Sequence, residues 1–142
     1  MSSATGQCLC GDVKFSVQLP VKWCAHCHCS LCQRAHGAAI VTWVGVAEGQ
    51  YHIDAKDLRW FASSEQGERA HCGRCGTPLF FRSTRWPGEL HISRACIDSN
   101  ELTLPQAHVY CRSAASWLSC HDQLPRFTTV PSEQNAAAPQ QG

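Results

Sequence analysis

The stretch Cys72-Gly73-Arg74-Cys75-Gly76 at residues 72–76 decides how this chain is held together. Two cysteines flank a tight turn whose glycines let backbone N–H groups point at the sulfurs, which is the form of a zinc knuckle. A knuckle supplies two ligands, whereas a closed structural site needs four. Cys8 and Cys10, near the N-terminus, are the expected partners. A disulfide across such a short gap would strain a small ring. A metal with bonds of about 2.3 Å to sulfur needs only that its ligands lie a few ångströms apart. Structural zinc of this kind contributes on the order of 10 kcal/mol to the folding of a small domain.

Working outward, Cys27-His28-Cys29-Ser30-Leu31-Cys32 brings three thiols into six residues. Three protein ligands with a fourth position left to water or substrate is the pattern of a reactive zinc site. Cys24, His26 or His28 taking that fourth position would instead give a second closed site. His26 and His28 alternate with Cys27 and Cys29, so in an extended segment they face away from the sulfurs.

The chain has 142 residues, a formal net charge of +1 and 11 cysteines. That length suits a single domain over residues 1–127. Residues 128–142 carry few apolar groups large enough to bury, so a flexible C-terminal tail is expected there. The Lys and Arg residues are scattered and the pI is near 7.6, unlike a nucleic-acid binder with a basic face and a pI above about 9. No apolar run is long enough to cross a membrane, and the N-terminus lacks the basic start and apolar stretch of a secretory signal. An odd number of cysteines grouped as metal ligands suits a reducing, cytoplasmic location.

Val13, Phe15 and Val17 alternate over residues 12–18 as on a half-buried strand, and Cys8 and Cys10 are expected to share a strand face. Residues 29–37 predict one or two helical turns ended by Gly37. Residues 38–46, 58–63, 68–71, 79–83, 89–95 and 107–111 read as strands separated by Gly, Pro, Ser or Asn. Many short strands with turn signals between them predict a mostly β domain of small antiparallel sheets. Trp43, Trp60, Phe61, Phe80, Phe81 and Trp86 are expected in core and rim packing. Cys111 and Cys120 are expected as small apolar fillers.

The residues GQCLCGDVKF at 6–15, CHCSLCQRAHG at 27–37 and CGRCGTPLFF at 72–81 resemble the glutathione-dependent formaldehyde-activating enzyme family. The resemblance extends through Pro105, His108 and Trp117, and its three cysteine spacings occur in the family's order. It implies a β-tent of small antiparallel sheets stapled by two zinc ions. One would sit on Cys8, Cys10, Cys72 and Cys75 and the other on Cys27, Cys29 and Cys32. It also implies carbon–sulfur lyase chemistry, the addition of glutathione to formaldehyde or its reversal, so the expected partners are a small thiol and a small aldehyde.

In that chemistry Cys27, Cys29 and Cys32 hold the reactive metal, and His108 is a candidate to hand a proton to the developing alkoxide. The alternative is a zinc-stabilised binding module without catalysis, which has no need of three thiolates beside a fourth position. Arg94-Ala95-Cys96-Ile97-Asp98 is also similar to the reactive-cysteine segment of B-type methionine sulfoxide reductases, but the CHCSLC cluster does not fit that family.

Overall fold

A computed structural model describes residues 2–99 and 104–131. Among the described residues the backbone forms ten strands and one α-helix: β1 (Ser3–Gln7), β2 (Val13–Gln18), β3 (Trp23–Cys27), α1 (Ser30–His36), β4 (Val41–Ala47), β5 (Tyr51–Ala55), β6 (Leu58–Ala62), β7 (Gly67–Cys72), β8 (Pro78–Ser83), β9 (Glu89–Ser93) and β10 (His108–Val109). The chain divides into two compact units. The described residues of the first lie within 1–23 and 44–104, and those of the second within 24–43 and from 105 onward.

The first unit carries a three-stranded antiparallel sheet, β1-β2-β5, and a ladder running β4-β9-β8-β7-β6. The alternation read at residues 12–18 holds: Val13, Phe15 and Val17 of β2 are buried, and Phe15 meets Phe80 edge to face at 5.5 Å. Leu79, Phe80, Leu90 and Ile92 complete that core. Gly45 is required on β4, because a Cβ there would collide with the indole of Trp23. Beside it, the Glu89 carboxylate accepts from Lys22 at 2.7 Å, from the Trp23 indole N–H at 3.3 Å and from His91 Nε2 at 3.0 Å.

Cys8 and Cys10 do not share a strand face. They lie in the turn between β1 and β2, where Gly11 at φ 85° reverses the chain and Cys8 N–H donates to Val13 O. Gln7 still pairs with Lys14, so the intervening residues loop out of the ladder.

The second unit is built on β3, β10 and the start of β4. Its β3–β10 pairing is parallel, with His26 opposite His108 and Cys27 opposite Val109, a mixed arrangement where antiparallel strands were expected. The predicted helix is α1, and Gly37 closes it in the left-handed conformation at φ 63°, which glycine adopts without steric penalty. The strand expected at residues 38–46 begins at Val41, and the one expected at 107–111 shortens to two residues, followed by a 3-10 turn at Cys111–Ser113. Thr128 and Thr129, expected at the start of the tail, accept backbone hydrogen bonds from Arg112 and Tyr110. Residues 132–142 of that tail lie outside the described residues.

Candidate metal centres and active site

In the first unit the β1–β2 and β7–β8 turns bring four thiols together. The ligand atoms of Cys8, Cys10, Cys72 and Cys75 all lie within 4.8 Å of one another. The Cys8–Cys10 and Cys10–Cys72 sulfur separations are 3.7 and 3.8 Å. The edge of a thiolate tetrahedron around a metal with bonds of about 2.3 Å is about 3.8 Å, so the donor set fits a four-coordinate ion. The turns also aim N–H groups at sulfur. Arg74 and Cys75 donate to Cys72 Sγ at 3.4 Å each, and Val13 donates to Cys8 Sγ at 3.3 Å. Gly76 at φ 81° permits the knuckle to turn.

These thiols do not titrate alike. The hydroxyl and backbone of Thr77 pull Cys75 down to about 5. Cys10 accepts a hydrogen bond from the Asp12 backbone, yet burial and the neighbouring thiols push it up to about 11. Four sulfurs this close ionise together only around a cation, since like charges raise one another's pKa.

In the second unit Cys27 ends β3, Cys29 caps α1 and Cys32 lies in the helix's first turn. The Cys27 and Cys32 sulfurs are 3.7 Å apart, again the edge length of a thiolate tetrahedron of about 3.8 Å. Hydrogen bonds from the Cys27 and Cys32 thiols hold Cys29 down to about 2, and the same contacts push Cys27 up. Cys29 is thus the more readily ionised of the pair it forms with Cys27, and three sulfurs make a soft donor set suited to a thiophilic cation.

Neither neighbouring histidine turns to the sulfurs as its principal contact. His26 Nδ1 pairs with Thr42 Oγ1 at 2.8 Å, and His28 Nε2 pairs with His108 Nδ1 at 2.8 Å. His108 Nε2 in turn meets Asp122 Oδ2 at 2.8 Å. The ionised carboxylate can only accept, so His108 Nε2–H donates to Asp122, and the direction of the His28–His108 bond follows the ring tautomers. Burial first, and then the neighbouring His108, Arg126 and His26 side chains, lower His28 to about 4, which favours a neutral His28 ring. Asp122 is held below the usual carboxylate range, chiefly by its bond from His108. His108 is 1% exposed with both ring nitrogens engaged, so it reaches its surroundings through these two partners.

Asp122 is the residue that sequence reasoning missed. It lies in an irregular segment fourteen positions beyond His108, and only the chain path brings it to the ring. Cys96 has an ordinary environment for a half-buried thiol: it lies 3.9 Å from Pro78 O, and partial burial raises its pKa. A reactive cysteine needs the opposite shift. Cys111 is buried as expected, Cys120 only partly. Among the expected packing aromatics, Trp43 and Phe80 are buried, whereas Phe61 is 66% exposed.

The sequence model of the glutathione-dependent formaldehyde-activating enzyme family matches residues 3–113. A Halomonas elongata protein, provisionally named a glutathione-dependent formaldehyde-activating enzyme, is 28% identical over 142 aligned residues, covering 92% of this chain and 90% of the relative. The fold is similar to the crystal structure of a Rhodobacter sphaeroides protein determined by structural genomics, with a TM-score of 0.52 and 19% identity over 67% of this chain and 88% of that one.

Proposed function

The chain belongs to the glutathione-dependent formaldehyde-activating enzyme family, and from that premise we propose that it is a zinc-dependent carbon–sulfur lyase-type enzyme that adds a thiol such as glutathione to formaldehyde or a related small aldehyde, or runs the reverse reaction. The observation that carries this reading is the second cluster, in which Cys27, Cys29 and Cys32 converge while His26 and His28 are engaged by Thr42 and His108. A structural zinc on Cys8, Cys10, Cys72 and Cys75 and a reactive one on Cys27, Cys29 and Cys32 are the assignments we make. Cysteines grouped as metal ligands suit a cytoplasmic, reducing location.

When bound by the three thiols of the second cluster, zinc supplies a lowered pKa for a substrate thiol. The size of that effect is bounded. A thiol of pKa 8.5 is a few per cent ionised at neutral pH, so full ionisation gains at most about thirtyfold. Part is lost because nucleophilicity falls with pKa at a slope of about 0.4 to 0.5. Most of the acceleration therefore comes from holding sulfur and aldehyde together.

The bond formed is carbon to sulfur, the bonds broken are the thiol S–H and the carbonyl π bond, and the alkoxide takes up one proton, balancing the one the thiol gives up. We assign the handling of that proton to His108, which exchanges it through His28 and Asp122 rather than by touching the substrate. The reverse reaction returns the proton along the same hydrogen bonds. The experiment is exchange-detected NMR of glutathione with formaldehyde, which separates catalysed from spontaneous adduct formation. Acceleration by the metal-loaded protein that disappears in Cys29→Ser supports the reading. An exchange rate equal to the protein-free rate rejects it.

A further inference from the structure

Strand β6 ends the ladder of the first unit, with β7 on one side and, among the described residues, no strand on the other. Its register against β7 is unbroken, from Leu58 opposite Cys72 to Ala62 opposite Glu68. Ser63 N–H donates to Gly67 O and Gly73 N–H donates to Asp57 O, so the odd-numbered residues exchange hydrogen bonds with β7. Antiparallel strands alternate bonded and non-bonded pairs. Leu58, Trp60 and Ala62 therefore turn their N–H and C=O groups outward, and among the described residues no backbone group meets them there.

Natural sheets guard such an edge with proline, lysine, a bulge or a covering segment. The outer side of β1 is met by Ile97 and Asp98, and that of β10 by residues 125–127. Strand β5 has a free side too, but it shows His52 and Asp54 to solvent. Strand β6 instead shows the Phe61 ring, 66% exposed, beside Arg59. Side chains alternate along a strand, so Asp57, Arg59 and Phe61 share one face. Arg59 donates to Asp57 from Nε at 3.2 Å and from Nη2 at 3.1 Å, which holds the guanidinium edge-on to the carboxylate and leaves its flat faces open. On the opposite face of the strand Arg82 lies over the Trp60 ring at 3.9 Å.

We propose that β6 is a dimer edge, pairing antiparallel with β6 of a second copy of this chain about a two-fold axis at Trp60. In that register Leu58, Trp60 and Ala62 of one copy exchange hydrogen bonds with Ala62, Trp60 and Leu58 of the other, using the outward groups. Arg59 then faces Phe61 of the partner subunit in a non-bonded pair, where side chains approach to about 4.5–5.5 Å. Each guanidinium covers the opposite ring in a cation–π contact. The two Trp60 side chains come side by side on the other face, each capped by its own Arg82. The strand is thus its own complement, in backbone groups and in the Arg59–Phe61 pair, which selects a second copy over an unrelated strand. One short strand per copy makes a small interface, so the dimer forms and dissociates with concentration.

The test is sedimentation velocity of the full chain under reducing conditions over about a hundredfold range of concentration, with amide exchange followed residue by residue at both ends of the range. Wild type is expected to pass from monomer to dimer. The Leu58, Trp60 and Ala62 amides should slow about tenfold or more on dimerisation, while Arg59 and Phe61, already bonded to β7, change little. Ala62→Pro removes an N–H that β7 does not use and should leave a folded monomer. Phe61→Lys sets a like charge opposite Arg59 of the partner subunit and should weaken the dimer about tenfold. Because the Phe61 ring is exposed, this second variant keeps its fold whatever the proline does to the strand.

A wild type that stays monomeric throughout overturns the proposal. So does a folded Ala62→Pro that still dimerises, or a dimer as tight in Phe61→Lys as in wild type. A dimer whose formation leaves the Leu58, Trp60 and Ala62 amides exchanging at the monomer rate overturns it as well, since its contact then lies elsewhere on the surface.

Discussion

The two cysteine clusters are assembled in opposite ways. In the first unit two hairpin turns deliver Cys8, Cys10, Cys72 and Cys75, so every position of a tetrahedron is supplied by protein and N–H groups from Val13, Arg74 and Cys75 brace the sulfurs. In the second unit a strand end and a helix start deliver Cys27, Cys29 and Cys32, and the adjacent histidines are drawn off to Thr42 and His108. A site closed by turns far apart in sequence does its work on the folding equilibrium. A site closed by three nearby residues constrains little of the chain, which suits the reactive role we propose for it.

The largest effect expected from this contrast is on stability. Cys72→Ser removes a fully buried ligand of the closed site, and metal binding of that kind is worth on the order of 10 kcal/mol. The variant should lack a cooperative thermal transition at room temperature and above, whereas Cys29→Ser should keep a native melting profile by circular dichroism. Equal melting temperatures for the two variants would erase the distinction drawn here.

Next in size is the proton path. His108→Gln should slow catalysed thiol–formaldehyde exchange by about a hundredfold, the lower end of general acid–base contributions. Asp122→Asn, which can still accept from His108 Nε2–H, should cost less than Asp122→Ala. Turnover unchanged in both His108→Gln and Asp122→Ala would leave the hydrogen bonds of His28, His108 and Asp122 with a structural role alone.

The smallest effect is a pH dependence confined to the first unit. Glu89 is held down to about 2, first by its hydrogen bond from His91, against burial, and further by Lys22 and Trp23. A carboxyl whose folded pKa lies below its unfolded value of about 4.3 stabilises the fold above that value and loses the contribution as pH falls toward 2, because the unfolded chain takes up the proton first. Wild type should therefore lose urea-unfolding stability between pH 4.5 and 2.5 more steeply than Glu89→Gln. Identical slopes would mean that the Lys22, Trp23 and His91 contacts leave Glu89 energetically neutral.

How legible each part was in the sequence follows from how local its cause is. The β2 strand announced itself because Val13, Phe15 and Val17 must bury one face. The end of α1 did so because Gly37 sits where a left-handed residue is needed. By contrast β1 reads Ser-Ala-Thr-Gly-Gln and carries almost no pattern, since its buried side is Ala4 and Gly6 and pairing with β2 makes it a strand. Strands β3 and β5 were hidden in the same way, one inside the cysteine motif and the other in Tyr-His-Ile-Asp-Ala.

Both cysteine groups were visible as motifs, but the positions of Cys8 and Cys10 were not. Gly11 turns the chain there, so the ligands converge through a loop rather than a pleat. Asp122 had no local signature, because tertiary folding alone brings it to His108.

The central claim is that one chain holds a structural and a separable reactive metal. The most direct measurement is zinc per chain by elemental analysis on freshly purified wild type and Cys29→Ser, with the fold of each monitored in the same samples. The account predicts two zinc ions falling to one while the fold is retained. One zinc in both proteins would contradict it, because the Cys27, Cys29 and Cys32 cluster would then not be a metal site and the proposed chemistry would lose its foundation.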